Sequence, residues 1–107
     1  MRNTTRACMQ ADNICNTLHS FLVRMAYTPE SVPHEAEHAV EHIMHLLQPE
    51  DEEAVTEYYG LFDTERVALD DIAARRGVTP EEMMETIDRC IRKLAITPEW
   101  EMIKKTI

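Results

Sequence analysis

The sequence predicts an all-α protein, a small bundle of about five to six helices, and three observations predict it. Two glycines and five prolines in 107 residues are too few for the tight turns of an all-β chain, whereas Ala, Glu, Met, Leu and Ile are abundant. Apolar residues recur at spacings of three and four along most of the chain. Thr-Pro-Glu appears at 28–30, 79–81 and 97–99. In that triplet threonine suits an N-cap, proline suits the first helical position, and glutamate sits well in the positive first turn.

The first helix is expected over about residues 5 to 26. Ala7, Ala11, Ile14, Leu18, Phe21 and Met25 form one apolar stripe, flanked by Cys8, Cys15 and Leu22. The stripe suits packing within the molecule, or a homodimer seam with a second copy. Thr28-Pro29-Glu30 runs straight into Ser31-Val32-Pro33 and reads as a linker or short turn. The second helix is expected from Pro33 to Gln48, with Ala36, Val40, Ile43, Met44 and Leu47 inward. Pro49 opens the third, which buries Ala54, Val55 and Tyr58 or Tyr59 and ends at Gly60. Val67 to Arg76 forms the fourth, stopped by Gly77. The fifth runs from Pro80 to Ala95 through Met83, Ile87, Cys90 or Ile91, and Leu94, with Thr79 and Glu82 at capping-box spacing. A short last helix, Pro98 to Thr106, brings in Trp100 and Ile103.

The formal net charge is −9, and it is unevenly placed. From Met25 to Glu65 there is no Lys or Arg, against the acids Glu30, Glu35, Glu37, Glu41, Glu50, Asp51, Glu52, Glu53, Glu57, Asp63 and Glu65. Such a field repels phosphate unless a partner covers it, and a solvated acidic face is the plain alternative. No stretch approaches the roughly 20 apolar residues of a membrane span. The polar start, Met1-Arg2-Asn3-Thr4-Thr5-Arg6, does not suit an export signal. Three cysteines (Cys8, Cys15, Cys90) make no disulfide framework. A cytoplasmic, reduced protein is therefore expected.

An eight-residue helix, a glycine turn and a longer helix entered through Thr79-Pro80 have the layout of a helix-turn-helix over Val67 to Ala95. Such a unit lays its second helix in the major groove. Here that end reads Thr79-Pro80-Glu81-Glu82-Met83-Met84-Glu85, which is acidic where a DNA reader is basic.

Leu46-Leu47-Gln48-Pro49, a Glu-rich helix, Tyr59-Gly60-Leu61, Leu69-Asp70-Asp71-Ile72-Ala73, Gly77-Val78-Thr79 and Ile91-Arg92-Lys93-Leu94 follow one another along the chain. With these motifs, the stretch from about Val40 to Leu94 resembles region four of housekeeping-class bacterial RNA polymerase sigma factors. The likeness covers about half of the chain. It implies a four-helix domain that binds promoter DNA near the −35 element and docks on the polymerase flap. The family's base-reading arginines and glutamines match Glu82, Met84 and Glu85 here, whereas Arg89, Arg92 and Lys93 match basic positions. Nothing corresponds to the core-binding and promoter-melting regions, so the chain is not a complete sigma factor.

The resulting division is an amphipathic helix and linker over 1–30, then a region-four-like domain over 31–107. If the domain binds duplex DNA, Arg75, Arg76, Arg89, Arg92 and Lys93 hold phosphates while Thr79, Glu82 and Glu85 face the groove. The alternative is an acidic protein-interaction module that keeps the fold without DNA, its partner being polymerase or another basic protein. An enzyme is not expected, because no nucleophile, base and oxyanion donor can be assembled. No cofactor is expected either.

His34-Glu35-Ala36-Glu37-His38 fits the HExxH zinc-protease pattern. The row continues through His42 and His45 opposite the core stripe, which predicts a solvent-facing face without the walls of a cleft. Weak divalent-metal binding by neighbouring imidazoles, or a response to pH near neutrality, is the chemical alternative. Cys15 and His19 are four apart and could share a metal, but Cys15 flanks the core stripe. Tyr58, Tyr59 and Trp100 lack the basic interleaving of a single-strand stacking platform and read as core.

Overall fold

A computed structural model describes residues 13–105. Within them the chain is all-helical, with six α-helices and no strand. These are α1 (Asn13–Tyr27), α2 (His34–Met44), α3 (Pro49–Tyr59), α4 (Leu69–Arg76), α5 (Pro80–Ala95) and α6 (Pro98–Lys104). Thr28-Pro29-Glu30 is the expected short turn, one piece of 3₁₀ helix over Pro29–Ser31. Ala7, Cys8, Ala11 and Thr106 lie outside the described residues, as do the side chains of Ile14 and Cys15.

The longest helix among the described residues, α5, is the hub. Its buried Met83, Met84, Ile87, Cys90, Ile91, Leu94 and Ala95 follow the 3.6-residue period. They let it pack on α1, α3, α4 and α6, while α2 packs on α6 and α1 also meets α3. The inward stripe of α1 (Leu18, Phe21, Leu22 and Met25) is buried in this core. Trp100 is fully buried, its ring tilted against Phe21 at 5.5 Å between centroids.

Of the boundaries that differ from expectation, two have a clear cause. The second helix stops at Met44 instead of reaching Gln48. Leu46 and Leu47 donate their N–H groups three residues back, to Ile43 and Met44, which tightens the exit. Gln48 is then extended (ψ 148°), as the residue before Pro49 must be. The fourth helix starts at Leu69 rather than Val67. The Val67 N–H donates to Glu57 O at 2.9 Å, which ties that residue to the end of α3 and keeps it out of the helix. The helices expected to open at Pro49, Pro80 and Pro98 do so, and α2 opens at His34, one residue after Pro33. Of the two tyrosines, Tyr59 is buried and Tyr58 half-buried.

Gly60 ends α3 in the left-handed region (φ 76°), and Gly77 ends α4 in the same way (φ 72°). In the intervening loop Phe62 and Asp63 also have positive φ, 53° and 63°.

Candidate functional site

The α4–α5 unit is built from local signals. The Gly77 N–H donates to Ala74 O and the Val78 N–H to Ala73 O, closing α4. Thr79 Oγ1 then accepts from the Glu82 N–H at 3.1 Å, and Glu82 Oε1 accepts from the Thr79 N–H at 2.9 Å. This is a complete capping box, with Pro80 in the first helical position. Thr79 and Glu82, both expected to face a DNA groove, are thus already occupied in starting the helix. Glu85 is exposed, and Met84 is buried against the core.

The basic residues fall into two groups. Arg75 and Arg76, in the last turn of α4, reach back to α3. Arg75 makes a two-pronged pair with Glu57, whose Oε2 lies 3.4 Å from Nη1 while Oε1 meets Nη2. That hydrogen bond, together with the charge of the same carboxylate, raises the Arg75 pKa above its ordinary value. Arg76 pairs with Asp51 at 3.2 Å and also donates to Glu50 O at 3.2 Å. Glu50, Glu53 and Glu57 line the small cleft that the two arginines cover. Two of the five expected phosphate-binding residues are therefore engaged by carboxylates of the acidic segment.

Arg89, Arg92 and Lys93 are all exposed on the C-terminal half of α5. Arg89 donates to Thr86 Oγ1 at 3.3 Å, and Lys93 donates to Leu46 O at 3.3 Å. The outer stripe of α5 thus grades from Glu81, Glu82 and Glu85 to Arg89, Arg92 and Lys93. That order complements the helix dipole. The structural benefit alone accounts for the pattern, whatever the stripe binds.

On α2, His34, His38, His42 and His45 are all exposed, as the row opposite the core stripe implied. The first three line an open groove whose far side is Glu99 of α6. His45 Nδ1 instead lies 3.0 Å from Glu52 of α3. Among the described residues no three His, Cys, Asp or Glu side chains are close enough together to hold an ion. Cys90 is buried, and burial pushes its thiol up to about 11, so it is neither nucleophile nor ready ligand at neutral pH.

Sequence reasoning did not identify a cleft between α1 and the end of α3. His19 Nδ1 and the Tyr59 hydroxyl are 2.7 Å apart, and burial lowers the His19 pKa. Tyr27 and Arg66 lie at the cleft mouth, with Arg66 Nη1 donating to the Tyr27 hydroxyl at 2.6 Å. No sequence signal joins residues about forty positions apart. Only α1 packing on α3 brings them together.

Among the described residues no helix is long and apolar enough to cross a membrane. Comparison with protein-family models, curated proteins and solved structures finds no match to this chain.

Proposed function

We propose that the chain is a protein-interaction module with a helix-turn-helix-type α4–α5 unit, whose acidic α2–α3 surface meets a basic protein partner. One observation carries this reading: Arg75 and Arg76, which a DNA reader would turn toward phosphate, are held by Glu57 and Asp51 of α3. The exposed N-terminal half of α5 adds Glu81, Glu82 and Glu85 where the duplex would lie. Each carboxylate beside a phosphate reduces affinity, because net neutralisation of phosphate dominates duplex binding. The exposed Glu35, Glu41, Glu50 and Glu53 offer a surface suited to Lys- and Arg-rich partners. RNA polymerase is the partner that the region-four resemblance suggests.

The second reading is a region-four-like transcription protein that binds duplex DNA. The exposed Arg89, Arg92 and Lys93 favour it. Fluorescence anisotropy with a labelled random duplex separates the two. The interaction reading expects no binding even at low salt. It also expects affinity capture of specific basic proteins, lost when Glu41, Glu50 and Glu53 are changed to glutamine. Salt-sensitive duplex binding abolished by Arg89→Ala/Arg92→Ala/Lys93→Ala would establish the DNA reading instead.

A further inference from the structure

We propose that the groove between α2 and α6 is a two-histidine binding site for a borderline divalent cation such as Zn²⁺ or Ni²⁺, with His38 as the essential ligand. His34, His38 and His42 are exposed and line the same groove. None of the three is engaged by a hydrogen bond or ion pair among the described residues, whereas His45 is directed to Glu52.

Helical geometry sets the ligand count. Residues four apart stand one above the other with Cβ atoms about 5–6 Å apart, a span two imidazoles can bridge with metal–nitrogen bonds of about 2.0–2.1 Å. Residues eight apart are separated by about 12 Å of helix axis, too far to share one ion. The row therefore offers two overlapping pairs, His34 with His38 and His38 with His42. His38 belongs to both. With no third ligand in place, water completes the coordination, and the site is weak and open.

Two further features favour binding. The backbone of α2 is held by buried Ala36, Val40, Ile43 and Met44, so the spacing of the histidine Cβ atoms is set before an ion arrives. Glu35 and Glu99 line the same groove and supply negative potential there. Imidazole selects zinc, nickel and copper over magnesium and calcium, which prefer oxygen.

Isothermal titration of the untagged full chain with ZnCl₂ and NiCl₂, in a non-coordinating buffer, tests this. Saturable binding is expected, with none for MgCl₂. His38→Asn should weaken affinity by at least about tenfold, a change of about 1.4 kcal/mol. A His34→Asn/His42→Asn variant, which leaves His38 alone, should lose as much, and His45→Asn should stay within about twofold of wild type. Because these side chains are exposed, all variants should keep the wild-type circular dichroism. Absence of saturable binding overturns the proposal, as does wild-type affinity in His38→Asn or an equal loss in His45→Asn.

Discussion

Releasing the two α4 arginines from α3 should change how the protein responds to DNA. The perturbation is Glu57→Gln together with Asp51→Asn, near-isosteric changes that remove both carboxylates facing Arg75 and Arg76. Both pairs lie near the surface, where ion pairs contribute little to stability, so the fold should survive. The formal net charge moves from −9 to about −7, since each change removes one acid. Each phosphate neutralised adds about −0.9 to the slope of log K against log salt, so two freed guanidiniums give a slope of about −1.8. Between 50 and 200 mM salt that corresponds to roughly a tenfold loss of affinity. The assay is anisotropy of a fluorescein-labelled duplex of random sequence. The double variant should show weak binding with this salt dependence, and the wild type none. Two results would refute the reasoning. One is a wild type that binds with the slope of five phosphate contacts, about −4.5; the other is a double variant as inert as the wild type.

The remaining predictions concern the frame that holds these surfaces. Thr79→Ala removes the side-chain half of the capping box and should cost about 1 kcal/mol in urea unfolding, without changing the slope of the transition. Trp100→Ala empties a fully buried aromatic site and should cost about 3–5 kcal/mol, visible as a large fall in the thermal midpoint by circular dichroism. Gly60→Ala should destabilise more than Gly77→Ala. Both impose positive φ on alanine, at about 1–2 kcal/mol, but at Gly60 the new Cβ also meets Arg66 Cβ at 3.2 Å, whereas at Gly77 nothing lies within 4 Å. The folded state raises the Cys90 pKa from 9.0 to about 11, so the unfolded chain releases that proton first. Its contribution to stability is complete below about pH 9 and declines as pH rises toward about 11. Cys90→Ala should flatten the fall in urea midpoint across that interval, and an unchanged fall would count against a buried thiol.

The fold was legible because its signals are local. Pro49, Pro80 and Pro98 each open a helix, Gly60 and Gly77 each close one, and Thr79 with Glu82 forms the box that their spacing predicted. One boundary failed where a tertiary bond decided it, at Val67, whose N–H is claimed by Glu57 O, and another where local bonds tightened the exit after Met44. The candidate interface was only partly legible. Residue type and helical phase placed Arg89, Arg92 and Lys93 outside, but they could not foretell that α3 would lie alongside α4 with Glu57 and Asp51 opposite the arginines. Likewise, the pairing of His19 with Tyr59 depends on the register between two helices, and no periodicity within either one encodes it.

The contact of Phe21 with Trp100 has a consequence for the order of events during synthesis. The segment that becomes α1 is made before α5 and α6, yet these two helices cover its apolar stripe. At about 5–20 residues per second, roughly 4–16 s separate Phe21 from Trp100 at the ribosome. During that interval Leu18, Phe21, Leu22 and Met25 lack their final neighbours, and the nascent chain displays a sticky helix that chaperones would recognise. Complete packing of α1 therefore waits for Trp100, and truncation before Trp100 should leave an aggregation-prone chain.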